Sequence, residues 1–183
     1  MALGTWWRGD TLPQLSTLPS FSAGISTDKG TIARMNQLTN EEIERRFDQG
    51  HFFYLAYMDE TPAGYGWVAT REGSIRELQL RFPISPRERY LWDFQTLPEW
   101  RGRGIYPHLL QTIILQELLD ADRFWIGFKP DNEASERGIT KAGFQIVGDF
   151  VFGEGPEITF GSYDNHERGL AAARFYHLPL TTL

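Results

Sequence analysis

Residues 96–119, T-L-P-E-W-R-G-R-G-I-Y-P-H-L-L-Q-T-I-I-L-Q-E-L-L, constrain the fold more than any other stretch of the chain. Before them, Tyr90 to Thr96 alternate as a strand does, with Tyr90, Trp92, Phe94 and Thr96 on one face, and Pro98 ends the ladder. A loop with two glycines follows. Leu109, Leu110, Ile113, Ile114 and Leu118 then recur at helical spacing, and Pro107 sits in a first turn, where its missing N–H has no intrahelical partner to lose. The spacing predicts strand, glycine loop and helix in one register.

Such a unit turns unpaired backbone N–H groups and the positive end of a helix toward whatever lies above the loop, which suits an anion and above all a phosphate. Gly102 and Gly104 let a ligand approach the backbone, and Arg101 and Arg103 add forked donors. Taken alone, R-G-R-G reads as a turn with two surface arginines; the flanking strand and amphipathic helix favour the phosphate. The dinucleotide pattern G-x-G-x-x-G fails at Pro107, and no G-K-S/T follows for a P-loop.

The stretch resembles the acyl-CoA pyrophosphate loop of GNAT-type N-acetyltransferases, R/Q-x-x-G-x-G/A, here Arg101, Gly102, Arg103, Gly104, Ile105 and Tyr106. Tyr106 departs from the small last residue, so its side chain has to point away from the phosphates. A second segment, Asn132 to Phe144 (N-E-A-S-E-R-G-I-T-K-A-G-F), is similar to the family's N-x-x-A/S-x-x-x-Y-x-K-x-G-F, with Asn132, Ser135, Lys141, Gly143 and Phe144 matching. One helix and one strand separate the two segments, as a βαβ unit requires. Taken as helix caps, Asn132 and Ser135 have a purely structural reading that is compatible with the other. The resemblance covers about 55 residues closely and residues 26–161 by the order of elements.

The resemblance implies an α/β (α+β) GNAT acyl-CoA N-acyltransferase fold, a mixed central sheet flanked by helices. It implies acetyl-CoA as co-substrate, held by Phe94, Gln95, Thr96, Leu97, Arg101, Gly102, Arg103, Gly104, Ile105, Tyr106, Asn132 and Ser135. Two parallel strands splay beyond Phe94, and the pantetheine arm pairs with the freed edge. A backbone N–H near Phe94 to Thr96 meets the oxyanion. The family often protonates the leaving thiolate with a tyrosine at the place of Ile139; a thiol of pKa about 8.5 leaves without much help, and Ser135 or water is a substitute.

Amine attack on a thioester needs a free amine, and an alkylammonium has a pKa of about 10.4, so some group has to take a proton. Asp93, a carboxylate in mid-strand, is the first candidate base, and Tyr90, on the face of Thr96, the second. The competing reading of Asp93, an ion pair with Arg76, Arg81 or Arg87, is the stronger. Tyr54, Tyr57, Trp67, Trp92, Phe124 and Trp125 fall on strands and read mostly as core.

The 183 residues, 41% of them hydrophobic, suit one domain spanning 1–183. There is no cysteine, and His51, His108, His166 and His177 share no metal-ligand spacing, so no metal is expected. The net charge of −6 argues against nucleic acid and slightly for a neutral or cationic acceptor. No run approaches the ~18 apolar residues of a membrane span and no leader pattern opens the chain, so a cytoplasmic protein is expected. Residues 1–20, with Trp6, Trp7, Pro13 and Pro19 in no clear period, read as an N-terminal arm, and 162–183 as a partly helical tail.

The remaining pattern predicts a strand at Ser22–Ser26, helices over 28–36 and 41–49, and a hairpin of 52–58 with 65–71. Another strand is predicted at Ile75–Phe82, one at Arg123–Phe128 parallel to Tyr90–Thr96, a helix over 133–142, and strands at 144–151 and 157–160. The function expected is acetyl transfer from acetyl-CoA to a primary amine of a small molecule or peptide. The alternatives are an acyl-CoA-binding regulatory module without turnover and an unrelated nucleotide-binding domain. Acceptor, acyl length and oligomeric state, a homodimer included, stay open.

Overall fold

The computed structural model describes residues 1–153, 157–163 and 166–183. In chain order it contains β1 (Ala2–Trp7), β2 (Phe21–Ile25), α1 (Lys29–Asn36), α2 (Asn40–Asp48), β3 (His51–Met58), β4 (Thr61–Ala69), β5 (Glu72–Ile75) and β6 (Leu80–Pro83). Then come β7 (Glu88–Thr96), α3 (Ile105–Glu117), β8 (Arg123–Phe128), α4 (Glu133–Lys141), β9 (Gln145–Phe152), β10 (Ile158–Ser162), α5 (His166–Tyr176) and β11 (Leu180–Thr182).

A nine-stranded sheet runs in the order β11-β10-β9-β1-β8-β7-β4-β3-β2. Only β7–β8 and β10–β11 pair in parallel; the other neighbours are antiparallel. The fold is therefore the expected mixed α/β architecture, a mostly antiparallel central sheet flanked by helices. α3 and α4 cover one face, where Leu109, Leu110, Ile113 and Ile139 meet Leu91, Phe124 and Ile126. The other face is covered in two parts: α1 and α2 over Phe53, Leu55 and Trp67, and α5 over Leu3, Trp125 and Phe160.

Helix starts follow local chemistry. Asp28 and Asn132 accept from backbone N–H groups two and three residues on, and Thr39 caps α2. The N-terminal stretch corrects the reading of an arm. Residues 2–7 form β1 in the middle of the sheet, antiparallel to both β8 and β9. A strand buried on both faces shows no alternation, so A-L-G-T-W-W gives no period to read.

Ile75–Phe82 is not one strand either. A 3-10 turn at Arg76–Leu78 and Gln79 at φ 50° fold it into the separate ribbon β5–β6, docked on α5 through Ile75 and Phe82. β4 begins at Thr61, earlier than expected, after the two-residue turn Asp59–Glu60. In the tail, expected to be partly helical, α5 is followed by the unforeseen β11, and positions 164 and 165 lie outside the described residues. No helix among the described residues is long and apolar enough to cross a membrane.

Candidate active site

β7 and β8 pair from Glu88↔Arg123 to Leu91↔Ile126 and then part, leaving Trp92–Thr96 and Gly127–Phe128 without each other. The parting coincides with a bulge on the other side of β7. Trp67 pairs with Trp92 and Tyr65 with Gln95, so Asp93 and Phe94 together face only Gly66. Asp93 takes φ 54°, uncommon for a residue with a Cβ. The ring of Phe94 occupies the place a Gly66 side chain would take, 2.1 Å from the Cβ position.

The bulge corrects the simple alternation. Tyr90 and Trp92 stay on the α5 face, whereas Leu91 and Phe94 both reach the α3 face.

The carboxylate of Asp93 has a partner, but not the arginines expected from neighbouring strands. Arg46 of α2 donates from Nη1 at 2.8 Å and from Nε to Glu42 at 3.1 Å. Its guanidinium is held between the rings of Trp67 and Trp92, 4.8 and 4.4 Å from their centroids. Asn36 accepts from the same Nη1 and from the Trp67 indole. α2 thus fastens the bulge by a side chain that is only 10% exposed.

The loop after β7 ends on Gly104 at φ 82°, a conformation costly for any residue with a Cβ, and α3 starts there without a side-chain cap. The N–H groups of its first turn are left for an outside partner. Arg101 donates to the Thr96 carbonyl at 3.2 Å, and Arg103 lies over the Trp100 ring at 4.8 Å. Across from α3, Ala134, Arg137, Gly138 and Lys141 share one face of α4. Between the two helices and the parted strands runs a cleft of about 900 Å³.

The expected residues divide. Asp93, Phe94, Gln95, Thr96 and Arg101 line the cleft, as do Gly102, Gly104, Ile105, Tyr106, Asn132 and Ser135. Leu97 and Arg103 do not; the Leu97 N–H is spent on the Ala63 carbonyl, and Arg103 on its tryptophan.

Tyr90 is corrected from a cleft-wall residue to a core residue, 5% exposed among Phe82 and Tyr176. Its hydroxyl nevertheless comes within 3.4 Å of where a Gly127 side chain would start, beneath the parted strands. Tyr106 points away from the loop, as its size demands, into a space opened by Gly138, whose Cβ would lie 2.4 Å from the ring. Burial pushes its phenol up, and hydrogen bonding with Ser135 opposes the shift. Ile139 is fully buried under Gly4 of β1. Tyr65 donates to the Gln95 side chain at 2.8 Å, and its phenol is pushed up to about 12, by burial first and then by the charge of Asp93.

Sequence reasoning missed Glu77, Trp92, Trp100, Lys129 and Arg137 as lining residues. For Arg137 a signal existed: with Ala134, Gly138 and Lys141 it repeats at the spacing of one helical face. Glu77 had none, since it reaches the cleft from a separate ribbon.

The family model described as Acetyltransferase (GNAT) family matches residues 23–144. No curated protein matches the sequence. Among solved structures the chain is similar to a GCN5-related N-acetyltransferase from Kribbella flavida, with TM-score 0.54 and 14% identity over 79% of this chain and 53% of that one. A putative GNAT acetyltransferase from Novosphingobium aromaticivorans gives 0.51 and 17%, over 79% and 59%. A GNAT family acetyltransferase from Elizabethkingia anophelis, with acetyl-CoA bound, gives 0.53 and 14%, over 73% and 80%. The chain spans between a half and two thirds of the length of the first two. At these identities the likenesses speak for the fold.

Proposed function

The chain belongs to the GNAT acetyltransferase family, and from that premise we propose that it transfers the acetyl group of acetyl-CoA to a primary amine of a small molecule or peptide, by direct attack and without a covalent enzyme intermediate. One observation carries the reading: the gap between β7 and β8 beyond Leu91 and Ile126 opens into a cleft whose far end carries Arg101, Lys129, Arg137, Lys141 and the uncapped start of α3. That end has the donors and charge a diphosphate needs, and the gap has the width freed by two strands that no longer pair. Similar structures include acetyl-CoA- and CoA-bound acetyltransferases, one an aminoglycoside N-acetyltransferase.

On this reading the first-turn N–H groups of α3 and Arg101 hold the diphosphate, and Asn132 and Ser135 border the arm. The free edge of β7 from Phe94 to Thr96 pairs with the pantetheine amides, and a backbone N–H of the bulge region meets the thioester oxygen as charge develops there. Acetyl-CoA supplies the activated acyl group and a thiolate that leaves readily at a pKa of about 8.5. The ammonium of the acceptor first loses a proton to a carboxylate or water at the mouth. The free amine then forms the C–N bond, the C–S bond breaks, and the nitrogen's second proton passes to solvent or to the thiolate. Asp93, bound to Arg46, serves this step mainly by holding the bulge in shape. With the apolar Ile139 buried, Ser135, which lines the cleft, or water gives the thiolate its proton.

The test is calorimetric titration of acetyl-CoA against ADP and desulfo-CoA, followed by thiol release from the same sample with a panel of amines. Acetyl-CoA binding with amine-dependent release is the expected outcome. Binding without release from any amine leaves an acyl-CoA-binding module, and no binding sinks the reading. Gly104→Trp should weaken acetyl-CoA binding by about a hundredfold, since nothing closer than His108 at 3.7 Å turns a side chain at this position aside from the cleft. The folded state of that variant should persist, because the cost of its left-handed backbone is about 1–2 kcal/mol.

A further inference from the structure

The charged residues lining the cleft sort by sign. Arg101, Lys129, Arg137 and Lys141 stand at the α3–α4 end, and Glu77 and Asp93 stand on the other face of the sheet, with neither sign mixed into the other group. The two acids are not equivalent. Asp93 is committed to Arg46 at 2.8 Å. Glu77 has no hydrogen bond or ion pair with any described residue, and Arg76 beside it in the chain does not line the cleft.

Glu77 is nonetheless held on a fixed base. It sits on the turn between β5 and β6, whose Phe82 is buried against Phe175 and Tyr176 at 5.2 and 4.7 Å between ring centroids. The charge of Glu77 is felt at the buried Tyr90 phenol, which burial first and Glu77 second push upward. That hydroxyl lies beside Gly127, where β8 has already left β7, so Glu77 stands within electrostatic reach of the gap. Trp92 lines the same cleft, with the Arg46 guanidinium over its ring. An unpaired carboxylate at the wall of a cleft whose other acid is already committed to an arginine is a recognition element for a cation.

We infer that Glu77 selects the acceptor, an amine carrying a second cationic centre: the reacting nitrogen enters the gap between β7 and β8 while the second ammonium or guanidinium stays on the Glu77 carboxylate beside Trp92. The identity of the reacting nitrogen rests on the transferase reading; the recognition is a binding property and is tested as one.

Titrate 1,4-diaminobutane and n-butylamine calorimetrically into the protein, alone and saturated with CoA. The native chain is expected to bind the dication about tenfold more tightly than the monocation. Glu77→Gln should bring the dication down to the monocation's affinity, Glu77→Asp should keep part of the preference, and neither should change the affinity for acetyl-CoA. Equal affinity of the native chain for the two amines, no binding of the dication, or a Glu77→Gln variant that keeps the preference overturns the inference. Dication binding through Glu77 with no thiol release would leave this inference standing and remove the transferase reading. Thiol release by a chain indifferent to the second charge would do the reverse.

Discussion

Asp93 combines a strained backbone with a charge that another element holds. At φ 54° it sits where asparagine and aspartate are tolerated better than most residues, so Asp93→Asn keeps the bulge's backbone preference and removes only the charge. Arg46, 8% exposed between two indole rings, would then keep Glu42 as its one charged partner. We expect a stability loss of about 1–3 kcal/mol and a large fall in kcat, with little change in acetyl-CoA affinity. A fastening role makes a further demand. Arg46→Gln should lower kcat similarly, and the double variant should be no worse than the more damaging single one, because both break the same tie. Full activity in Asp93→Asn would reassign the carboxylate to structure without consequence for the gap; a nearly active Arg46→Gln beside a dead Asp93→Asn would make Asp93 the base. The sequence anticipated that a mid-strand carboxylate would be paired, but its partner lies 47 residues away on a helix, a distance that no local pattern encodes.

At the scale of elements, what was legible was local. The glycine loop and Pro107 announce α3, Asn132 announces α4, and Asp28 announces α1, each by chemistry within a turn of the residue that carries it. The parting of β7 from β8 could be expected only through the family likeness, which put it beyond Phe94; the pairing ends earlier, at Leu91. The bulge that accompanies it was hidden, since Y-L-W-D-F-Q-T alternates well enough to conceal an added residue. β1 was hidden for the opposite reason: a short apolar run buried on both faces carries no period. Its place between β8 and β9 gives it two ladders, and Arg8 just beyond it ties to Asp122, which also holds Arg87 at 2.7 Å. An arm packed on the surface would tolerate truncation of its side chains; a central strand would not. Leu3→Ala, at a fully buried position, should therefore lower unfolding free energy by about 3 kcal/mol in urea titrations. A loss below about 0.5 kcal/mol would mean that β1 is peripheral to the core.

For the molecule as a whole, buried ionisable groups set the pH range in which the fold is stable. The phenols of Tyr54, Tyr90, Tyr106 and Tyr176 all lie above their ordinary 10.0 because burial disfavours the charged form, and Tyr65 is pushed up to about 12 for the same leading reason. Below pH 10 these phenols are protonated in both states and their contribution is complete. Above it the unfolded chain releases protons that the folded chain keeps, so stability falls by about 1.4 kcal/mol per pH unit for each such phenol. For Tyr65 that loss is spent near 12.

His51 sets the other flank. Burial first, opposed by its bond to the Glu72 carbonyl at 2.9 Å, holds its imidazole below 6.5. Above 6.5 it is neutral in both states, and as the pH drops below 6.5 the unfolded chain takes a proton that the folded one refuses, so stability falls again. Asp28 and Asp122, both held below 3.8 by hydrogen bonds, act only in a lower window, as the pH falls through 3.8 and beyond. The urea midpoint should thus be flat from about pH 7 to about 9.5 and fall on both sides. Tyr54→Phe should make the alkaline fall shallower and His51→Phe should remove the one beginning near 6.5, whatever either does to the plateau. An alkaline slope unchanged in Tyr54→Phe would mean that this phenol, bonded to Glu117 at 2.8 Å, gives up its proton as easily in the folded protein as in the unfolded chain.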